Sequence, residues 1–427
     1  MADDDPVTVS RRGVLRTAVS VGGLAGLAAC LEEEGDAPVP IGPDDLSGMP
    51  ARQFAWNDVL RVDDHGNRVA PRHRVLLLLE YLGEGPPTPA DRDETESALR
   101  TLERAYERSP EGLLFTVSYS PAYFDRFPDD LDDGVDLPEP EALAPFESPD
   151  PDRPDAVVHL ASDRASVVLE AEEALRGSLD EANGRDVEAT LDGIFRVADR
   201  RTGFVGAGLP ADRQDVRGLP DSAPVPEDAP MFMGFKSDFR RNQASEDRVA
   251  IRDGPFADGT TQQLSRIRLH LDQWYEQDDR HHRVATMFCP AHAEEGFVDG
   301  VGDNLEAGGQ VADRGCPERA EADARERGVV GHSQKTAAAR VDGDSRLLRR
   351  DFNSTDGDRA TLHFLSLQRT IADFVETREA MNGTDLASAG AVGRRTNNGI
   401  LQYMTVERRG NYLLPPRSLR SLPPANP

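Results

Sequence analysis

The chain has 427 residues, enough for two ordinary domains around substantial cores. Acidic side chains outnumber basic ones by 77 to 49, a formal charge of −28. Such a surface repels a phosphate backbone rather than releasing its counterions, which argues against a nucleic-acid role. Lys236 and Lys335 are the only lysines, and this arginine-rich, acid-rich balance suits a high-salt habitat in which screening makes like charge tolerable. Three cysteines, Cys30, Cys289 and Cys316, are too few for a disulfide framework.

The amino terminus reads as an address. Ser10-Arg11-Arg12-Gly13-Val14-Leu15 is a twin-arginine export signature. The apolar run over residues 14–29 is too short to span a bilayer and suits a signal peptide. Leu27-Ala28-Ala29-Cys30 has the form of a lipobox, which predicts cleavage after residue 29 and a lipid on the Cys30 thiol; a plain cleavage site is the other reading. The acidic, Pro/Gly-rich stretch 30–52 then reads as a tether holding a domain off the outer face of the cytoplasmic membrane. The twin-arginine route carries folded proteins, often with a cofactor already loaded.

Two similar halves follow. Val75-Leu76-Leu77-Leu78-Leu79-Glu80-Tyr81, between polar and Gly/Pro-rich flanks, reads as a buried central strand. Residues 91–108 set Ala98, Leu99, Leu102 and Ala105 at helical spacing, and Ser109-Pro110-Glu111-Gly112 ends that helix. A strand at 113–119, an Asp/Pro-rich surface loop at 125–155, a strand at 156–160 and a helix at 162–176 come next. The second half repeats this rhythm more loosely: a strand at 231–236, a strand running into a helix over 265–275, strands at 284–288, 345–352 and 361–367, and a helix at 368–381. The order predicts an α+β fold of two ferredoxin-like modules, over 53–210 and 211–407, packed as a dimeric α+β barrel-like unit with an irregular tail at 408–427. Neither GxGxxG nor a Walker loop is present, so a nucleotide fold is not supported.

The stretch Glu111-Gly112-Leu113-Leu114-Phe115-Thr116-Val117-Ser118-Tyr119-Ser120-Pro121 is followed by a proline-flanked loop and Asp155-Ala156-Val157-Val158-His159-Leu160. Together they resemble the first half of the dye-decolourising peroxidases. In the second half, five pieces follow in that family's order and spacing: Gly234-Phe235-Lys236-Ser237-Asp238, Ser265-Arg266-Ile267-Arg268-Leu269-His270, Gly331-His332, Leu347-Leu348-Arg349-Arg350-Asp351-Phe352 and Leu362-His363-Phe364-Leu365. The resemblance spans roughly residues 70 to 382 and implies haem b as cofactor, hydrogen peroxide as oxidant and an unidentified reductant. Whether the chain forms a homo-oligomer stays open.

The resemblance implies roles residue by residue. His332 is placed as the proximal ligand of the haem iron. Arg349 is the distal arginine, with Arg350 its rival, because a guanidinium stays protonated and stabilises the charge that develops when the peroxide bond breaks. The family's GxxDG motif carries its acid in the fourth position and Gly in the fifth. Here Ser237 is fourth and Asp238 fifth, which makes Asp238 the candidate acid and implies an altered turn. Lys236 and Lys335 flank these motifs as candidate haem-propionate contacts. The missing fourth-position acid also favours a second reading, a haem-scavenging, storage or sensing lipoprotein without turnover; a barrel that has lost haem is a third.

Two further constellations stand apart. Cys289-Pro290-Ala291-His292, with His281-His282 upstream, brings soft metal-ligand types together in no zinc-site spacing, and Cys316 is an alternative partner for Cys289 in a disulfide. Trp274 and Tyr275 read as core aromatics, or as redox relays at the surface.

Overall fold

The computed structural model describes residues 37–427; the export pair Arg11 and Arg12 and the lipobox Cys30 lie outside them. Strand β1, His73–Tyr81, is buried over nearly its whole length because both its faces are covered. Val75, Leu77 and Leu79 point into one hydrophobic cluster, Leu76 and Leu78 into another, and this produces an unbroken apolar run where a half-exposed strand would alternate. Helix α1, Pro89–Ala105, begins at Thr88, whose side chain accepts from the Asp91 backbone while Asp91 accepts from that of Thr88, so two orphan donors are satisfied together. It buries Ala98, Leu99, Leu102 and Ala105. β2 (Leu114–Tyr119), β3 (Ala156–Ser162), α2 (Ala165–Leu175) and β4 (Phe195–Phe204) complete the first half.

The second half comprises β5 (Thr260–Leu269), α3 (Arg280–Met287), α4 (Ala320–Arg327), α5 (His332–Ala337), β6 (Phe352–Ser354), β7 (Thr361–Gln368), α6 (Ile371–Asn382) and β8 (Met404–Leu414). In each half the strands lie in the order fourth, first, third, second: β4-β1-β3-β2 and β8-β5-β7-β6. The halves meet at two seams, where Leu413 pairs with Tyr119 and Asn353 with Phe204. The eight strands thereby close into an antiparallel barrel. Leu76, Val157, Leu264, Leu365, Leu367 and Tyr412 fill its interior from both halves.

Outside the barrel the halves differ. α1 and α2 lie directly on the first sheet, with Ala98, Ala105, Ala165 and Ala171 permitting close approach. In the second half α6 rests on β5 and β7, α5 packs against α6, and a cavity is enclosed beside them.

Several expectations are corrected. Residues 231–236 form no strand: Gly234 turns the chain with φ +80°, and the Lys236 amide donates to Val301 O at 2.8 Å rather than to a strand. Residues 284–288 fall in α3 and its cap, since Asp279 caps the start by accepting from His282 N at 2.8 Å and Val284 and Phe288 share one helical face. From Ala37 on, the expected tether lies against the first half: Arg164 Nη1 donates to Ala37 O at 2.6 Å and Glu107 N to Pro40 O at 3.0 Å. Residues 408–414 continue β8 rather than opening the tail.

The residues after Leu414 are irregular apart from a 3-10 turn at Arg417–Leu419, and several of them are buried. Leu422 and Ala425 join the core of the first half. Arg420 Nη1 meets Glu103 Oε1 of α1 at 2.5 Å, and the Tyr119 hydroxyl donates to Arg420 O at 2.6 Å. Among the described residues no helix is long and apolar enough to cross a membrane.

Candidate functional site

The cavity of the second half has a volume of about 240 Å³. Outward-facing residues of the sheet line one side: Ile267 and Leu269 of β5, Leu362 and Phe364 of β7, Met404 and Val406 of β8. α5 and α6 supply His332, Phe374, Thr377 and Met381. A bulge between Val406 and Arg408 resets the alternation of β8, which brings Arg409 into the lining as well.

His332 opens α5 directly after Gly331. The Gly331 amide donates to Gln334 Oε1 at 2.9 Å, and Gln334 N donates to Phe288 O at 3.1 Å, so the helix start is locked to the end of α3. The fit is tight: a Cβ on Gly331 would lie 1.8 Å from Phe288 O. Gly331→Ala is therefore expected to cost about 1–3 kcal/mol by overpacking. A thermal melt should show this beside an unshifted Gly85→Ala control, whose Cβ would meet nothing within 4 Å.

The His332 ring lines the cavity, and its Nδ1 is buried without a hydrogen-bond partner. Burial, with Lys335 and Arg349 nearby, pushes its pKa down to about 3, so the imidazole is neutral across the working pH range.

Facing the same cavity is a segment that obeys strand alternation. Leu347, Arg349, Asp351 and Asn353 line it, while Leu348, Arg350 and Phe352 turn away. Arg349 Nη1 lies 3.3 Å from Ser237 Oγ and 3.3 Å from Asp351 Oδ2. Asp351 Oδ1 accepts from Leu365 N at 3.1 Å. Burial, reinforced by the neighbouring Asp238 carboxylate and opposed by Arg349, raises the Asp351 carboxyl to about 7. That value suits a group that exchanges a proton near neutrality.

The structure thus gathers His332, Arg349, Lys236 and Ser237 around one cavity, and it leaves Asp238, Arg350 and Lys335 outside the lining. Asp238 has φ +58°, the left-handed backbone that suits a glycine, and its carboxylate sits behind Arg349. There Gln243 Nε2 donates to its Oδ1 at 2.8 Å, and Gln243 Oε1 accepts from Arg349 N at 2.7 Å. Arg350 stands over the Trp56 ring at 3.9 Å and donates to Phe54 O at 2.5 Å. Lys335 is spent on Met381 O at 2.6 Å and Asn398 O at 3.0 Å. Lys236 sits at the rim, paired with Asp303 at 2.6 Å.

Asp351 was missed from sequence, although its signal was present: two residues after Arg349 on an extended segment is the same face. Trp274 and Tyr275 are buried, and they donate to Met233 O at 3.0 Å and Phe232 O at 2.8 Å, fixing the turn beside the cavity. Cys289 and Cys316 are joined as a disulfide.

The remaining lining suits a large apolar ligand with anionic edges. Arg346 is occupied by Asp373 at 2.8 Å and Glu376 at 2.6 Å, and Arg378 and Arg409 share Glu147. Arg340 donates to Asn242 Oδ1 at 2.6 Å, with the Asp313 and Asp344 carboxylates acting on it from farther off. A neutral imidazole with an unpartnered nitrogen and an apolar chamber edged by arginines together fit a haem group.

The fold and site define a closed α+β barrel of two four-stranded halves, with a largely apolar chamber in the second. The chain belongs to a family of unknown function (DUF7405), which matches residues 71–416. No curated protein matches its sequence. Among solved structures it is similar to a dye-decolorizing protein from Vibrio cholerae, at 14% identity and TM-score 0.52, covering 86% of this chain and 98% of that one. It is also similar to the encapsulated DyP-type peroxidase from Mycobacterium smegmatis, at 13% identity and TM-score 0.55 over 84% and 97%. A Rhodococcus jostii DypB variant in complex with heme aligns at 13% identity and TM-score 0.53 over 83% and 96%. At these identities the likeness is one of fold.

Proposed function

We propose that this protein is a haem-dependent peroxidase resembling the dye-decolourising peroxidases, which reduces hydrogen peroxide with electrons from an unidentified donor. We read its halves as ferredoxin-like modules, exported by the twin-arginine route and anchored through lipid on Cys30. The observation that carries the reading is the convergence of His332, Arg349 and Asp351 on one apolar chamber. His332 would hold haem b, and Arg340 would face a propionate. When bound, haem supplies redox-active iron for peroxide reduction. Asp351 takes the proton of an incoming peroxide on a carboxylate oxygen and returns it to the departing oxygen, while the Arg349 guanidinium stabilises the negative charge that develops there. Ser237 Oγ and Asp238 hold Arg349 in place.

A second reading, a haem carrier, is favoured by the unpartnered His332 Nδ1, since ligand imidazoles that drive chemistry usually donate to a carboxylate or carbonyl. The test is haem reconstitution of the whole mature chain in high salt, followed by peroxide. A Soret band with rapid peroxide consumption supports the peroxidase. A Soret band inert to peroxide supports the carrier, and no Soret band overturns both.

A further inference from the structure

Behind the wall of the chamber lies a second cluster with no part in this chemistry. Cys289 precedes the short helix Pro290–Glu294, whose third residue is His292; Cys316 comes from the loop before α4. All three are buried, at 0%, 0% and 1% exposure. Cys289 Sγ lies 3.0 Å and Cys316 Sγ 3.6 Å from His292 Nδ1, and the three ligand atoms fall within 4.8 Å of one another.

The tautomer follows from the other ring nitrogen. His292 Nε2 is 2.8 Å from Gly309 O, and a carbonyl only accepts, so Nε2 carries the proton. Nδ1 is then a bare lone pair aimed at two sulfurs. With the sulfurs joined as a disulfide, neither has a proton to offer it. Phe288 stacks on the ring at 5.9 Å and Phe297 meets its edge at 5.2 Å, which makes the surroundings apolar. A carbonyl fixing the tautomer and orientation of a histidine whose free nitrogen converges with two sulfurs is the arrangement of a metal ligand set.

We propose that Cys289, His292 and Cys316 form a redox-gated site for a soft, thiophilic d10 cation such as Zn²⁺ or Cu⁺, closed as the disulfide and open when reduced. A dithiol supplies two electrons and two protons: the Cys289–Cys316 bond breaks, two thiols form, and the dithiol becomes a disulfide. The cation then displaces both thiol protons to solvent and forms two metal–sulfur bonds and one bond to His292 Nδ1. Two thiolates and an imidazole, with no carboxylate, select such ions over Mg²⁺ or Ca²⁺. Oxidation of the dithiolate by a disulfide returns the two electrons, reforms the sulfur–sulfur bond and expels the cation.

The test uses the whole haem-free protein, so it stands whatever becomes of the haem reading. The protein is reduced with a phosphine, desalted and titrated with Zn²⁺ against a chromophoric chelator. Reduced wild type should take up one equivalent about tenfold or more tighter than the oxidised protein, Cys289→Ser or His292→Leu. Cys289→Ser also accounts for adventitious binding by the acidic surface. Because buried variants can unfold, wild type is titrated in parallel with Co²⁺, where sulfur-to-cobalt charge-transfer absorbance should appear only after reduction. The proposal is overturned by reduced wild type binding Zn²⁺ no tighter than Cys289→Ser, by equal binding to the oxidised protein, or by a Co²⁺ spectrum without thiolate bands.

Discussion

His332→Ala is expected to weaken haem retention about a hundredfold or more, equivalent to about 2.8 kcal/mol, and to remove the Soret maximum. The imidazole is neutral and unpartnered, so no proton must be displaced and no internal hydrogen bond broken for it to ligate. Removing it leaves a space beside α5 that free imidazole can enter. Added imidazole should therefore restore the band in His332→Ala, and it should not restore haem to a variant that has merely unfolded. A normal Soret maximum in the variant without imidazole would sink the assignment.

The second large effect is expected at Arg349 and Asp351. Arg349→Leu should retain haem but react with peroxide about 10²–10³-fold more slowly, the cost of removing one positioned donor to a developing anion. Asp351→Asn should slow the same step about 10²–10⁴-fold. The pH dependence separates the two. Proton uptake requires the carboxylate, so the wild-type rate should rise with pH through about 7, where this carboxyl titrates, and the Asp351→Asn rate should be flat there. Stability should move the opposite way. A folded-state pKa raised above its unfolded value contributes stability that is full below pH 4 and lost as pH rises through about 7. Stopped-flow absorbance and denaturant titrations at several pH values would read both; a wild-type rate that is level across this range would remove Asp351 from the role.

The fold was legible where burial is two-sided and periodicity strong. The apolar run of β1 and the spacing of Ala98, Leu99, Leu102 and Ala105 each had one physical interpretation. In the second half α5 and α6 share their inner faces between the sheet and a cavity, so they leave no clean helical stripe. Residues 231–236 and 284–288 then look like strands, because short apolar runs do not distinguish strand from helix. The site was half legible. Arg349 and Arg350 are adjacent and chemically identical, and a family motif ranks them only by order. The two-residue period separates them by face, and the same period would have found Asp351. The displaced acid at Asp238 is a carboxylate outside the cavity lining, on a left-handed backbone that sequence spacing does not reveal.

The way the chain's end is used bears on when the protein can fold at all. The first half is complete in sequence near residue 210, yet its core contains Leu413, Leu422 and Ala425, and the Glu103 carboxylate of α1 is answered by Arg417 and Arg420. On a ribosome that half emerges early with an open core and an uncompensated buried acid, and it must wait for residues 413–425. Folding of the first half is thereby coupled to residues that lie beyond the whole second half in sequence. Carboxy-terminal truncation thus reaches the half of the molecule made first.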